Sequence, residues 1–175
     1  MSASFSTFLE GLAAAVEGAV EHAKPVAAAR VLKKFLTVSD LLDLECLTPS
    51  SDRYRQHHLY IDPRGAFSVV ALVWLAGQRT PIHDHISWCT VGIYRGRELE
   101  TRYALADCGH GERLRVVGTS AREAGEVESL VPGDDIHDVI NPGPDLAVSI
   151  HIYGADIGKL GTSILRSFES AAVDG

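Results

Sequence analysis

From Leu59 onward the hydrophobic pattern of the chain has a period of two, and this limits its fold more than any other feature. A strand sends successive side chains to opposite faces, so a period of two held over short segments means sheet. The segments are "HLYI", "AFSVVALVWL", "IHDHISW", "CTVGIY", "ELETRYAL", "RLRVVGTS", "VESLV", "IHDVIN" and "AVSIHIYG". Between them stand "DPRG", "RGRE", "DCGHGE", "VPGDD" and "NPGP", rich in residues that reverse a chain. Many short strands at regular spacing predict a sandwich or a closed barrel.

The first quarter is helical instead. Phe5, Phe8, Leu9, Leu12, Val16 and Val20 recur at helical spacing, and Thr7 with Glu10 reads as a capping box. Pro25 opens a second helix with Val31, Leu32, Phe35 and Leu36 inward and Lys33 and Lys34 outward. Ser39 and Asp40 read as the cap of a short third helix ending at Leu44. The expected organisation is one domain: helices over residues 1–48, a barrel over 49–158, and a tail over 159–175 with a helix at "TSILRSFESAA".

Composition narrows the class of protein. The net charge is −7 with Lys and Arg scattered, which argues against a nucleic-acid partner. No apolar run is long enough to span a bilayer. The start, "MSASFSTFLEGLAAAVEGAVEHA", carries Glu10, Glu17 and Glu21 and no basic residue ahead of them, unlike a signal peptide. Cys46, Cys89 and Cys108 are an odd count without framework spacing and suit a reducing compartment. A soluble cytoplasmic protein is expected, with a homo-oligomer left open.

Two histidines stand out in "TPIHDHISW". On a strand His83 and His85 project from one face, a natural bidentate arrangement for a transition metal. His137, in "PGDDIHDVIN", again follows a turn and opens a strand. Three neutral imidazoles on a rigid barrel leave positions open on a metal, the condition for catalysis rather than structure. His22, His57, His58 and His110 lack this context and read as ordinary structural or surface residues.

These islands resemble the two cupin motifs. Gly77, His83, Asp84, His85 and Gly96 match the first; Pro132, His137 and Asn141 match the second. The resemblance implies a mainly β cupin fold, a double-stranded β-helix or jelly-roll barrel, with the N-terminal helices packed on it. Many cupins complete the site with a glutamate where this chain has Cys89. In "SIHIYG", Ser149, His151 and Tyr153 alternate and share a strand face. That trio, with the HDH run and the tryptophan of "ISW", is similar to the cysteine dioxygenase-like thiol dioxygenases. The bacterial 3-mercaptopropionate dioxygenase branch is the nearest likeness, over roughly Arg53 to Gly158.

What the resemblance implies is an iron enzyme that oxidises a small thiol to its sulfinate with O2. His83, His85 and His137 would bind Fe(II). Ser149, His151 and Tyr153 would form a hydrogen-bonded relay toward substrate. Gln56 stands where cysteine-specific members carry an arginine and the mercaptopropionate branch carries glutamine. That branch usually has another arginine after the relay strand; here the stretch reads "GADIGKLGTSILR", so either the carboxylate anchor falls to Arg166, Lys159, Arg55 or Arg53, or the substrate lacks that carboxylate. Cys89 occupies the position of a cysteine that some members crosslink to the relay tyrosine, and where the bacterial branch usually has glycine, so the resemblance leaves a Cys89–Tyr153 thioether or a small buried thiol. Cys46 and Cys108 read as plain reduced thiols. The alternatives are a cupin acting on a non-thiol substrate and a non-catalytic cupin that binds a metal or ligand.

Overall fold

The computed structural model describes residues 2–107, 112–169 and 173–174; Cys108 and His110 lie outside them. Two helices come first, α1 (Ala3–Gly18) and α2 (Lys24–Phe35). The strands follow as β1 (Arg55–Ile61), β2 (Ser68–Trp74), β3 (Ile82–His85), β4 (Cys89–Arg95), β5 (Arg97–Asp107), β6 (Glu112–Glu123), β7 (Val127–Leu130), β8 (His137–Ile140) and β9 (Ala147–Tyr153). A single turn, α3 (Ile157–Leu160), leads to β10 (Ile164–Phe168) and β11 (Val173–Asp174). All nine expected segments contain a strand.

The strands form two sheets, ordered β1-β2-β9-β4-β7 and β10-β3-β8-β5-β6-β11. Every pairing is antiparallel except β11 on β6. Facing each other, the sheets make the expected double-stranded β-helix, and the helices cover the outer face of the first sheet. Phe8, Leu12, Leu32 and Leu36 pack against Val69, Ala71, Val73, Val148, Ile150 and Ile152. The alternate residues of β2 and β9, including Leu72, Trp74, Ser149, His151 and Tyr153, therefore look into the barrel. Both strands are buried along their whole length. Being central between helices and interior, they have no solvent face.

Local details depart from the sequence reading. Helix α1 starts earlier than Thr7: Ser2 is its cap, accepting from the Phe5 N–H at 3.0 Å, and Thr7 lies inside the helix. The third helix does not form before Leu44. Asp40 instead accepts a hydrogen bond from Ser4 Oγ at 2.9 Å, Leu41 and Leu42 are buried, and a 3-10 turn spans Leu44–Leu47. The tail is not helical over residues 162–169, the part of "TSILRSFESAA" within the described residues. Ile164–Phe168 is strand, paired with β3 from Ile164↔His85 to Phe168↔Ile82. An unpaired β3 would leave backbone donors and acceptors without partners beside the site, and this pairing outweighs the local helical pattern.

Two glycines permit close approach. Gly96 has φ +73, and a Cβ there would sit 2.8 Å from the Leu146 carbonyl oxygen. Gly92 lets α2 dock on β4, since a Cβ would lie 2.7 Å from Leu32 Cδ2. Gly92→Ala is expected to destabilise by about 1–3 kcal/mol, measured by urea unfolding. Combined with Leu32→Ala the two losses should be sub-additive, because the shortened side chain makes room.

Candidate metal centre

Strands β3 and β8 bring the three histidines together. His83 and His137 are cross-strand partners, and His85 lies one strand repeat further on the same face. Their rings form a compact triangle with centroids 4.7 Å (His83–His137), 4.9 Å (His83–His85) and 5.1 Å (His85–His137) apart. All three are buried, and one ligating nitrogen from each lies within 4.8 Å of the other two.

The far nitrogen of each ring is already engaged. His83 Nδ1 meets the Pro81 carbonyl at 2.9 Å, His85 Nδ1 the Asp135 carboxylate at 3.0 Å, and His137 Nδ1 the Glu100 carboxylate at 2.6 Å. Each partner is an acceptor, so each Nδ1 carries the hydrogen and each Nε2 presents a lone pair. His137 Nε2 is buried with no hydrogen-bond partner among the described residues, an orphan that a metal ion would satisfy. Three such nitrogens fit a divalent transition ion.

Electrostatics keep the set ready. Burial and the neighbouring His137 and His85 pull His83 down to about 3, and burial also lowers His137, so protons do not compete for these nitrogens. Burial alone would raise Glu100, but the hydrogen bond with His137 and the guanidinium groups of Arg122 and Arg102 bring it down to about 2. Burial likewise opposes Asp135, and its bonds to the His85 ring and to the backbone N–H groups of His85 and Gly133 hold it below the usual range. Two carboxylates thus stand behind two of the imidazoles.

Across the barrel, β9 presents a chain of hydrogen bonds. Ser149 Oγ lies 2.9 Å from His151 Nε2, and the Tyr153 hydroxyl lies 3.4 Å from His151 Nδ1. The Trp74 indole N–H donates to Ser149 Oγ at 3.2 Å, so Trp74 does more than fill core. Burial lowers His151 to about 3 and raises Tyr153 well above its ordinary value, which leaves both neutral. Cys89, directly opposite Tyr153 in the β4–β9 register, has its Sγ 3.8 Å from His151 Nδ1. Its thiol is free, and burial raises it.

A narrow cavity joins these groups. Its lining includes the three histidines, His151, Tyr153, Gln56 and Tyr54, the last stacked on Trp74 at 4.5 Å. Gln56 therefore reaches the site, whereas Arg166 does not. Asp84 alternates with His83 and His85 and points to the opposite face of β3. There it accepts from the Arg166 backbone N–H and Nε, each at 2.7 Å. Lys159 is exposed and pairs with Asp156 at 3.3 Å. Arg53 and Arg55 line an adjoining cleft that shares Tyr54 and Gln56 with the cavity.

The profile of the family described as cysteine dioxygenase type I matches residues 48–160. The chain belongs to that family. Among solved structures, a conserved protein with a double-stranded beta-helix domain from Klebsiella pneumoniae subsp. pneumoniae is 18% identical. Its TM-score is 0.49 over 67% of this chain and 91% of that one. A cupin superfamily protein from Desulfitobacterium hafniense is 10% identical, with a TM-score of 0.47 over 68% and 88% of the two chains. A Cupin 2 conserved barrel domain protein from Salinispora arenicola is 20% identical, with a TM-score of 0.44 over 64% and 83%.

In this cysteine dioxygenase-family chain the supporting carboxylates escaped the sequence reading. Glu100 sits in "ELETRYAL", where alternation separates Glu98 and Glu100 from Leu99 but does not say which face is inward. Asp135 precedes His137 by two residues, a spacing that could have flagged it. Glu100→Gln is expected to keep the fold and lower metal affinity about 10–100-fold, measured by titration with a divalent ion under a competing chelator.

Proposed function

We propose that the protein is an Fe(II)-dependent thiol dioxygenase that converts a small mercapto-acid, 3-mercaptopropionate foremost, to its sulfinate. The overall change is balanced: one thiol and one O2 give one sulfinic acid, both oxygen atoms ending on sulfur. The observation that carries the reading is a single cavity lined by three converging imidazoles on one wall and by His151 and Tyr153 of the Ser149–His151–Tyr153 chain on the other. Held by His83, His85 and His137, Fe(II) would bring thiolate and dioxygen side by side and exchange electrons between them.

The residues of the chain do the remaining work. With three neutral ligand nitrogens, a bound ion would keep positive charge to favour an anionic sulfur and would help the thiol lose its proton. Leu72, Val139 and Ile164 line the cavity and limit water. Tyr153 faces the reacting atoms and is oriented through His151 by Ser149. Gln56 at the cavity wall is the residue expected of the mercaptopropionate branch. With Arg166 held by Asp84, the cations placed to meet a substrate carboxylate are Arg53 and Arg55 in the adjoining cleft.

Oxygen consumption by iron-loaded protein tests this across 3-mercaptopropionate, cysteine, mercaptosuccinate and cysteamine. Mercapto-acids should be consumed with one O2 per thiol, and cysteamine, lacking a carboxylate, should be poor. Absence of thiol-dependent oxygen uptake would sink the reading. His85→Ala should abolish metal retention and turnover together. Tyr153→Phe should keep the metal and slow turnover on the order of 10²-fold.

The same reading carries the Cys89–Tyr153 thioether. The two residues face each other across β4 and β9 and share His151 Nδ1 as a neighbour. Forming the S–C bond removes one hydrogen from the thiol and one from the ring, two electrons in all, which dioxygen accepts. The intact mass of protein purified after aerobic turnover should be two hydrogens below the sequence mass. Separate unmodified Cys89 and Tyr153 peptides as the sole species would rule the bond out.

A further inference from the structure

One buried carboxyl group has no part in the chemistry above. Glu98 projects from β5 into the barrel, two residues before Glu100, and is 4% exposed. Its Oε1 is buried without a hydrogen-bond partner among the described residues. The carboxyl faces the Ser149 hydroxyl and the Trp74 indole N–H, where the Ser149–His151–Tyr153 chain begins. The charged groups around it are Glu100 on its own strand and Arg122 on β6; beyond Ser149 lie His151, Tyr153 and Cys89, all neutral.

Counting donors fixes how the chain can be arranged. The Trp74 indole can only donate, and it donates to Ser149 Oγ. Ser149 has one hydrogen of its own, and neutral His151 carries one N–H. An ionised Glu98 only accepts, so it takes the Ser149 hydrogen. His151 must then donate from Nε2 to Ser149 Oγ, which leaves Nδ1 to accept the Tyr153 O–H. A protonated Glu98 reverses every bond. It donates to Ser149 Oγ, Ser149 donates to His151 Nε2, and the imidazole hydrogen sits on Nδ1, aimed at the Tyr153 oxygen. The Tyr153 hydrogen is then released toward the cavity.

We propose that Glu98 is the inner terminus of a proton wire, and that its protonation selects the His151 tautomer and thereby the direction of the Tyr153 hydroxyl. The transfer balances. Tyr153 takes a proton from the cavity and passes its own to His151 Nδ1. The Nε2 hydrogen moves to Ser149 Oγ, and the Ser149 hydrogen moves to Glu98. Each intermediate atom gains one hydrogen and loses one, so the net change is one proton carried from cavity to Glu98. Under the thiol dioxygenase reading, on which this inference rests, that proton is the one the substrate thiol releases. Glu98 touches neither substrate nor metal, so it is a positioning residue acting through Ser149. Burial pushes Glu98 up to about 7 against the opposing pull of Ser149 and Arg122, which makes both states accessible near neutrality.

The test is nitrogen NMR of the full chain, labelled with ¹⁵N-histidine and loaded with diamagnetic Zn(II), with His151 assigned by His151→Gln. In the wild-type protein the His151 hydrogen should shift from Nδ1 at low pH to Nε2 at high pH, as Glu98 ionises. Glu98→Gln, which cannot ionise, should hold one tautomer throughout. A wild-type His151 that keeps one tautomer across the range overturns the proposal without any substitution at residue 98. A switch of unchanged midpoint in Glu98→Gln overturns it as well. Zinc uptake by the same sample reports separately on the metal centre.

Discussion

Three imidazoles can be buried side by side only if each is neutral and each has one nitrogen satisfied by the protein. That constraint organises the whole centre. Pro81, Asp135 and Glu100 take the three Nδ1 hydrogens, and in doing so they fix both the tautomer and the ring orientation. The acceptors are themselves buried and need support of their own. Arg102 and Arg122 hold Glu100 at 3.1 and 2.9 Å, and backbone N–H groups hold Asp135. The site is therefore built outward from three ring nitrogens, layer upon layer, until arginines part-exposed on β5 and β6 meet solvent.

The first sheet solves a different problem. Its central strands must carry polar side chains into the barrel and still be stable. The N-terminal helices bury the opposite faces of β2 and β9, so apolar residues such as Val69, Ile150 and Ile152 pack against α1 and α2. Stability is placed on the outer face of this sheet, which leaves the inner face for Ser149, His151 and Tyr153. Polar groups at that depth are tolerable because each is hydrogen-bonded along the chain that begins at Trp74.

Much of this was legible in the residues. Alternation from Leu59 onward located the strands because a one-residue slip would turn every side chain over. The spacing of His83 and His85 put both on one face, and His137 was recognisable from its turn and strand. The sequence was less informative where partners come from far along the chain. Arg166 reads as a free cation near the expected anchor, yet it belongs to Asp84, 82 residues earlier. The helical pattern in the tail was overridden by the unpaired edge of β3. Alternation puts Glu98 and Glu100 on one face of their strand, and only the closed barrel shows that this face is the inner one. Asp40 likewise reads as a helix cap but is claimed by Ser4.

Strand β10 has a consequence in time. Strand β3, which carries two of the three imidazoles, is bordered by β8 on one side and β10 on the other, and β10 ends at Phe168. During synthesis the ligand strand stays an open border until the chain has emerged past residue 168. A chain interrupted before residue 164 would display its histidines on an unfinished edge.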